Sequence, residues 1–364
     1  MHVLIAGTRG IPARHGGFET FAQELSLYLL SQGHQVTVYC QEDSGEPSWE
    51  DEWHGVHRVH LNGGRGPLGT LKFDWATVRD SLRKKGVVLT LGYNTAILSL
   101  LYRCARIPNL FNMDGIEWKR KKWSRLERAW LWINEWVGAR SANHLIADHP
   151  EIRKHLLRHT SAEKITMIPY GAETVFNAQV EQVRAYGLIP GSYYLLVARP
   201  EPENSICEIV RAYSMRIRRV PLVVLGAYSP ESSSYQREVI KMAGPGVTFL
   251  GAIYDRSVLD ALRFHACAYL HGHTVGGTNP SLVEALAAGS PVIAQDNPFN
   301  RWVAGSSAKF FQTTDDLAKI FDMLEEDSSR LFDMREGSRK QHRELFMQQE
   351  VLSAYEHLLL RFGA

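Results

Sequence analysis

A glycine-rich turn that leads into a helix is the stretch of this sequence best suited to bind an anion. Gly276 and Gly277 free the backbone to come close to a ligand. Pro280 suits the first helical position, where its missing N–H would have had no partner, and Thr278 or Asn279 can cap the helix. The unpaired N–H groups and positive dipole end of such a helix favour an anion such as a diphosphate, although an ordinary turn has the same local spacing.

Two charged residues could complete this anion site. Glu284, one turn into the helix, is placed to accept hydrogen bonds from a sugar hydroxyl beside the anion. Arg199 ends a predicted strand and can form paired charge-assisted bonds to a diphosphate. The alternatives are a solvent-exposed Glu284 and an Arg199 held in an ion pair with Glu201 or Glu203.

A second candidate site follows two predicted strands at 87–91 and 110–113. Each strand ends in a polar or glycine-rich step, Gly92-Tyr-Asn94 and Asp114-Gly115. In open parallel sheets, ligands bind outside the carboxyl ends of the strands, so the two steps are predicted to share one cleft. Asp114 is the candidate functional carboxylate there, and its alternative role is that of a cap or turn residue.

Composition excludes several classes of protein. The 364 residues are enough for two domains, and 41 Lys and Arg against 39 Asp and Glu give no case for a nucleic-acid binder. The cysteines have neither metal-ligand nor disulfide-framework spacing, which favours a reducing cytoplasm. They are Cys40, Cys104, Cys207 and Cys267. The chain opens as a strand without signal-peptide features, and its apolar runs are shorter than the roughly 20 residues of a membrane span.

Alternating strand and helix patterns predict two successive parallel-sheet units with a cleft between them. Apolar residues recur at helical spacing from Phe18 to Leu29, between predicted strands at 3–6 and 36–39, which forms a βαβ unit. Its glycines do not match the Gly-x-Gly-x-x-Gly pattern of dinucleotide sites. After a predicted hinge at 170–192, a second series begins with a strand at 193–198. Its later strands are predicted at 221–225, 247–250, 268–270 and 291–294.

Residues 49–74 are rich in Gly, Trp, His and Arg, and Asn62-Gly-Gly-Arg-Gly-Pro67 has strong turn chemistry. We therefore predict a mobile surface region. It either shapes a substrate cleft or is a long connection without chemistry.

The most basic and aromatic part of the sequence lies at 117–136. Six Lys or Arg residues face two Glu residues between positions 117 and 130. This composition is typical of a helix at an anionic lipid surface, and equally of a core-facing aromatic stripe with a solvated basic face. The residues predicted to contact a membrane are Trp118, Lys119, Arg120, Lys121, Lys122 and Trp123.

Taken in order, these motifs resemble the family 4 retaining glycosyltransferases of the GT-B type. The features that carry the resemblance are Gly16-Gly17, Gly33-His34, Ile168-Pro-Tyr-Gly171, Arg199, Phe249-Leu-Gly251 and Glu284-Ala-Leu-Ala-x-Gly-x-Pro-Val292. Two narrower motifs resemble the bacterial β-1,4-rhamnosyltransferases of capsule and exopolysaccharide assembly. These are Asn112-x-Asp-Gly-x-Glu-Trp118 and Val275-Gly-Gly-Thr-Asn-Pro-Ser281.

The resemblance implies an α/β fold with two Rossmann-like domains facing across a cleft. The N-terminal, acceptor-binding domain would span 1–178, the C-terminal, nucleotide-sugar-binding domain 179–345, and a C-terminal helix at 346–364 would pack back on the N-terminal domain. The expected reaction transfers rhamnose from dTDP-rhamnose, with retention, to a lipid-linked saccharide in surface polysaccharide synthesis. No metal or cofactor is expected, and the expected location is cytoplasmic, at the inner membrane face.

The resemblance also assigns roles to individual residues. Glu284 would bind the ribose, Arg199 would neutralise the departing diphosphate, and Asp114 would orient the acceptor or donor; these three are the predicted catalytic residues. The predicted donor-binding residues are Gly16, Gly17, Arg199, Glu203, Asn204, Gly276, Gly277, Thr278, Asn279, Pro280, Ser281 and Glu284.

Two positions depart from the family pattern. Gly276 stands where the family carries a Glu that contacts the donor sugar, and Asn204 stands where it carries a Lys. Two alternatives follow, namely a hexosyltransferase that uses a UDP- or GDP-sugar and a non-catalytic scaffold that binds sugar nucleotides or glycans.

Overall fold

The computed structural model describes residues 1–13, 16–43, 45, 47–120 and 122–363 of the chain. The chain forms two compact units. Unit 1 comprises residues 1–169 and 350–364, and unit 2 comprises residues 170–349. The units thus divide at 169/170 and 349/350, whereas the sequence places the domain boundaries at 178/179 and 345/346.

Unit 1 is built on an eight-stranded sheet in the order β3-β4-β2-β1-β5-β6-β7-β8. All neighbours in this sheet pair in parallel except β3 and β4, which are antiparallel. The strands are β1 His2–Ala6, β2 Gln35–Glu42, β3 Trp49–Trp53, β4 Val56–Asn62, β5 Val87–Leu91, β6 Asn109–Asn112, β7 His144–Ala147 and β8 Ile165–Met167. Its helices are α1 Gly17–Ser31, α2 Gly66–Ser81, α3 Leu100–Ala105, α4 Arg125–Ser141 and α5 Pro150–Leu156, with α14 Gln348–Leu360 contributing residues from 350 onward.

The prediction of a mobile surface region at 49–74 is wrong. The segment contains β3, β4 and the start of α2. His54 and Gly55 both have positive φ, of 48° and 83°, which is the backbone of a two-residue hairpin turn between β3 and β4. Strand β4 then pairs in parallel with β2 from Thr37 to Glu42, so that long-range pairing orders a segment whose composition resembles that of a loop.

Helix α14 completes unit 1 through buried polar contacts. The Asn112 Nδ2 group at the end of β6 donates to the Tyr355 hydroxyl at 2.7 Å, and both residues are almost fully buried. The Glu356 carboxylate accepts from the Tyr28 hydroxyl at 2.9 Å and lies 2.8 Å from His34 Nε2. These contacts attach α14 to the carboxyl end of β6 through Asn112, and to α1 and the residues after it through Tyr28 and His34.

Replacing Tyr355 by phenylalanine is expected to lower the free energy of unfolding by about 1–3 kcal/mol, because the buried Asn112 amide loses its partner. Urea unfolding of the intact chain measures this change. Tyr28→Phe is the matched control: Glu356 keeps its contact with His34, so a smaller loss is expected. Equal losses in both variants would contradict this account of the α14 contact.

Unit 2 is built on a six-stranded parallel sheet in the order β11-β10-β9-β12-β13-β14. The strands are β9 Tyr194–Val197, β10 Leu222–Leu225, β11 Val247–Gly251, β12 Ala268–His271, β13 Val292–Gln295 and β14 Lys309–Phe311. The helices are α6 Val180–Arg184, α7 Ile206–Ser214, α8 Ser234–Met242, α9 Arg256–Phe264, α10 Pro280–Ala287, α11 Pro298–Ala304, α12 Thr314–Glu326 and α13 Arg330–Leu345. Residues of β9 alternate between two apolar cores, which explains its unbroken apolar sequence.

Residues 170–178, predicted to belong to the first domain, are held in unit 2 by backbone contacts. The Ala172 N–H donates to the Phe346 carbonyl at 3.0 Å, and the Ala172 carbonyl accepts from His342 Nε2 at 2.8 Å. The Val175 N–H donates to the carbonyl of Ala287 at the end of α10. These pairings place the boundary before Tyr170.

Candidate functional site

Unit 2 contains a cavity of about 300 Å³ at the carboxyl ends of β9, β10 and β12. The lining combines apolar residues and Tyr254 with several polar side chains. The polar lining residues are Arg199, Asn204, His271, His273, Asn279 and Ser281. This volume is at the lower end of known small-molecule sites, so it suits one moiety of a larger ligand.

Helix α10 begins at this cavity as the sequence predicts. Asn279 is the N-cap residue, and its side chain accepts from the Ser281 N–H at 3.0 Å, with Pro280 in the first turn. The Tyr269 hydroxyl lies 2.6 Å from Ser281 Oγ and donates to the Val197 carbonyl at 3.3 Å. The first turn of the helix is thereby fixed to the end of β9, with its N–H groups near the cavity. The predicted helix start is confirmed.

The glycine-rich turn before α10 is anchored by backbone carbonyls. Thr274 donates its N–H and its hydroxyl to the Glu203 carbonyl, at 2.9 and 3.0 Å. Gly276 has φ +120°, a conformation that side-chain-bearing residues rarely adopt. A Cβ at Gly272 would lie 2.1 Å from the Asn204 carbonyl oxygen, so this close approach also requires glycine. The Glu203 carbonyl therefore holds the turn in place, and the predicted contact of Glu203 with the donor stays a prediction.

Asn204 has a structural role that explains the departure from lysine. Its Nδ2 group donates to the Arg199 carbonyl at 2.7 Å, and its Oδ1 accepts from His273 Nδ1 at 2.5 Å. A lysine has no acceptor atom for the histidine. Asn204 and His273 therefore act as a pair that joins the end of β9 to the turn after β12.

Arg199 lies at the edge of the cavity with its side chain 66% exposed, and the distance from its Nη1 to Glu201 Oε1 is 3.9 Å. An exposed pair at that distance contributes little to stability. The guanidinium can therefore leave Glu201 for an anion at low cost.

Glu284 differs from the prediction in its surroundings. It is not among the residues that line the cavity, and its carboxylate forms an ion pair with Arg263, whose side chain is only 3% exposed. The structure thus places Arg199, but not Glu284, at the cavity. Arg263 was missed because its contact to α10 crosses from α9 and leaves no local pattern. The predicted donor-binding residues of unit 2 that lie outside the lining are Glu203, Gly276, Gly277, Thr278, Pro280 and Glu284.

His271 also lines the cavity, although the sequence analysis gave this residue no role in the site. It is 4% exposed, and its Nε2 has no hydrogen-bond partner among the described residues. Burial lowers the pKa of His271 to about 3, with His273 adding to the shift. The ring is therefore neutral at physiological pH.

In unit 1, the two polar steps predicted to share a site do meet. Strands β5 and β6 are neighbours, and the Glu117 N–H donates to the Tyr93 hydroxyl at 2.7 Å. Asp114 has φ +51°, and its N–H donates to Asn112 Oδ1 at 3.0 Å. The side chain of Asn112 thus links Asp114 to the Tyr355 hydroxyl of α14.

The electrostatic environment of Asp114 favours its neutral form. Desolvation, with a smaller contribution from the nearby Glu117, raises the pKa of this carboxyl to about 6 against the opposing effect of Arg120 and Lys122. A perturbed carboxyl at the end of a parallel strand is a candidate functional group.

Gly16 and Gly17 lie at the start of α1 in unit 1. Gly16 is the N-cap residue with an extended φ of 176°, and its carbonyl accepts from the Thr20 N–H at 3.2 Å. Their predicted role in donor binding stays a prediction.

The predicted membrane segment is partly tied back to the protein. Trp118 Nε1 donates to Glu135 Oε2 at 3.0 Å, and Trp123 Nε1 donates to Glu117 Oε2 at 3.3 Å. Arg120 pairs with Glu117 at 2.6 Å. Lys119 and Lys122 are exposed, and Lys121 lies outside the described residues.

Glu135 is the centre of a buried hydrogen-bonded cluster that the sequence did not predict. Its Oε1 lies 2.7 Å from His155 Nε2 and 3.2 Å from His159 Nε2. Together with the Trp118 contact to Oε2, these hydrogen bonds satisfy both oxygens of the carboxylate. The cluster fixes the 117–119 turn to α4 and α5, and the four-residue spacing of the two histidines was its one sequence signal.

Comparison with protein families gives one match. The family described as "Domain of unknown function (DUF1972)" matches residues 1–173. No curated protein matches the sequence.

Comparison with solved structures identifies the fold. The chain is similar to sucrose-phosphate synthase from Thermosynechococcus elongatus, with a TM-score of 0.82, 17% identity, and coverage of 99% of this chain and 98% of that one. It is similar to HepE of Anabaena in complex with UDP-glucose, with a TM-score of 0.78, 15% identity and 99% coverage of each chain. An α,α-trehalose-phosphate synthase (UDP-forming) from Burkholderia vietnamiensis gives a TM-score of 0.72 at 11% identity, with 99% coverage of each chain. These neighbours are GT-B glycosyltransferases, and the predicted GT-B fold class is confirmed.

Proposed function

We propose that this protein transfers a sugar from a nucleotide sugar to a saccharide acceptor, with unit 2 binding the donor. The observation that carries the proposal is the cavity at the carboxyl ends of β9, β10 and β12, with Arg199 at its edge and the N-terminus of α10 beside it. A guanidinium and helical N–H groups are the groups that hold a diphosphate.

The structural neighbours support this class of donor. HepE was solved with UDP-glucose, and a trehalose-phosphate synthase among the neighbours is described as UDP-forming. The apolar residues and Tyr254 of the lining suit a nucleobase, and Arg199 suits the diphosphate. Glu284 would reach the ribose if it exchanged its contact with Arg263 for one to a hydroxyl.

The finer proposal is a retaining rhamnosyltransferase that uses dTDP-rhamnose and a lipid-linked acceptor. It rests on the resemblance of 112–118 and 275–281 to the rhamnosyltransferase motifs. Gly276 supports an unusual donor, because no carboxylate stands where the family binds the hydroxyls of the sugar. Asp114 in unit 1 would accept a hydrogen bond from a hydroxyl of the acceptor or donor.

The test is a panel of dTDP-rhamnose, UDP-glucose and GDP-mannose, each incubated with the protein and a membrane extract. We expect dTDP release to exceed UDP and GDP release, and the anomeric configuration of the product to be that of the donor. Faster turnover of a UDP- or GDP-sugar would contradict the rhamnosyl proposal and retain sugar transfer. Tight nucleotide binding without any release would instead identify a sugar-nucleotide-binding scaffold.

A further inference from the structure

Helix α4 of unit 1 carries large apolar side chains on its solvent-facing side. Leu126 is 85% exposed and Trp132 is 48% exposed. Trp130, Ile133 and Trp136 are each more than two-fifths exposed. Large side chains of this kind are normally buried, so their concentration on one helix marks an interaction surface.

Helix α4 buries one face in unit 1 and exposes apolar as well as charged side chains on the other. Leu126, Trp130 and Ile133 are spaced by four and three residues and share one face. The opposite face includes the buried Asn134 and Glu135, which are held by hydrogen bonds inside unit 1. Helix α4 therefore packs on the protein through a mixed apolar and polar face, and Leu126, Trp130 and Ile133 lie on its exposed face.

Helix α2, which like α4 contacts the segment 94–97, also carries exposed apolar residues. Leu68, Leu71 and Trp75 are exposed on that helix at spacings of three and four residues. The segment 94–97 joins the two helices: Thr95 Oγ1 donates to Asp74 on α2 at 2.6 Å, and the Ile97 N–H donates to Asn134 on α4 at 2.9 Å. We call the exposed apolar residues of α2 and α4 the α2–α4 surface.

The polar atom of one central tryptophan is already satisfied by the protein. Trp130 Nε1 donates to the Asn94 carbonyl at 2.9 Å, so the exposed part of its ring is apolar. The Arg140 guanidinium lies over the ring of Trp136 at 3.9 Å, which leaves a cation at the border of the same surface. Aromatic rings bordered by cations are typical of the interface between lipid acyl chains and headgroups.

The charge beside the α2–α4 surface is positive because basic residues outnumber acidic residues in the sequence that includes α4. Residues 117–141 contain seven Lys or Arg and three Glu. Glu117 pairs with Arg120, Glu127 caps α4 at Ser124, and Glu135 binds two histidines. The basic residues are Lys119, Arg120, Lys121, Lys122, Arg125, Arg128 and Arg140. The unbalanced cations favour an anionic partner.

We propose that the α2–α4 surface docks on an anionic lipid bilayer, with its Trp, Leu and Ile side chains among the acyl chains and its Arg and Lys side chains at the lipid phosphates. The docking is peripheral, since none of the helices in the described ranges is both long and apolar enough to span a bilayer. The proposal adds the exposed apolar side chains of α2 and α4 to the basic residues of the predicted 118–123 segment, whose own indoles are bonded to carboxylates.

The test is sedimentation of the full chain with vesicles of phosphatidylcholine, with or without phosphatidylglycerol, in the absence of any nucleotide sugar. We expect binding to the anionic vesicles that weakens as salt rises, and about tenfold weaker binding for the double variant Leu126→Ser/Ile133→Ser. The matched control is Ile217→Ser/Phe332→Ser, which removes two side chains of similar exposure from unit 2 and should bind like the unchanged protein.

A second measurement uses the unchanged protein, so its result does not depend on whether the variants fold. Phosphatidylcholine brominated on its acyl chains should quench the tryptophan fluorescence when mixed with phosphatidylglycerol, because the indoles of the α2–α4 surface enter the bilayer. Absence of quenching, or equal vesicle binding by the two double variants, would overturn the proposal. A dimer in solution that Leu126→Ser/Ile133→Ser converts to a monomer, without vesicle binding, would assign the surface to a second copy of the chain. Sugar transfer is measured separately with a soluble acceptor. The proposal of membrane docking and the proposal of sugar transfer can therefore be rejected independently of each other.

Discussion

Replacing Arg199 by alanine is expected to lower kcat/KM for the nucleotide sugar by about 10²–10³. The guanidinium is exposed at the cavity edge and only loosely paired with Glu201, so it is available to the diphosphate as negative charge builds on the leaving group. Binding of free UDP or dTDP should weaken as well, because charge-assisted hydrogen bonds to the phosphates are lost. Steady-state kinetics and isothermal titration calorimetry measure the two effects.

Two further variants make the Arg199 result specific. Arg199→Lys keeps the positive charge but loses the paired geometry, so its activity should fall between those of the unchanged protein and the alanine variant. Arg216→Ala removes a guanidinium of similar exposure, 61%, which pairs with Asp322 at 3.0 Å and does not line the cavity. Nucleotide binding by Arg199→Ala that equals binding by Arg216→Ala would remove the proposed diphosphate site.

Replacing Asp114 by asparagine is expected to reduce the rate of sugar transfer by about 10²–10⁴. The variant should also no longer show the loss of activity at acidic pH that is expected of the unchanged protein. Desolvation raises the pKa of Asp114 to about 6, so the unchanged protein should lose activity as this carboxylate is protonated below that pH. Asparagine tolerates the left-handed backbone at this position, where φ is +51°, and so preserves the local structure. Profiles of kcat/KM against pH compare the two proteins.

The same substitution should stabilise the fold at high pH. A carboxyl whose pKa rises from 3.8 to about 6 on folding favours the folded state while it is protonated, and this contribution is lost as pH rises through 6. Asp114→Asn should therefore raise the free energy of unfolding at pH 8 by about 1–3 kcal/mol, with little change at pH 4. A gain in stability together with a loss of activity distinguishes a functional carboxylate from a structural one.

Asp74 provides the control for Asp114. Burial also raises its pKa to about 6, but its carboxylate accepts a hydrogen bond from Thr95 Oγ1 at 2.6 Å. Asp74→Asn should still lose activity at acidic pH, as expected for the unchanged protein. If Asp114→Asn also lost activity at acidic pH, or if Asp74→Asn no longer did, Asp114 would not be the group that controls transfer.

The regular part of the fold could be predicted because its signals are local. The apolar spacing between Phe18 and Leu29 marks α1, and the apolar runs of unit 2 mark strands buried on both faces. The hairpin of β3 and β4 gave no such signal. Strand β3 has the sequence Trp-Glu-Asp-Glu-Trp with no buried residue, and β4 is ordered by pairing with β2. Pairing between distant segments leaves little trace in a window of neighbouring residues.

In the candidate site, too, features with local sequence signals could be predicted, and contacts between distant residues could not. The start of α10 was predictable because Asn279 and Pro280 are adjacent and have clear positional preferences. The ion pair of Glu284 with Arg263 and the bond of Asn204 with His273 join separate elements, and neither has a characteristic spacing. Sequence thus identified the residues that begin the helix, but not the partners that determine which side chains reach the cavity.

The discontinuity of unit 1 has a consequence for synthesis on the ribosome. Residues 170–349 are made between the eighth strand and the helix that carries Tyr355, which takes roughly ten seconds or longer at 5–20 residues per second. Throughout that interval Asn112 has no tyrosine partner, and Phe21 lacks the ring that later packs against it at 4.7 Å. Unit 2 is continuous in sequence, so its last residue leaves the ribosome before unit 1 receives the helix that completes it.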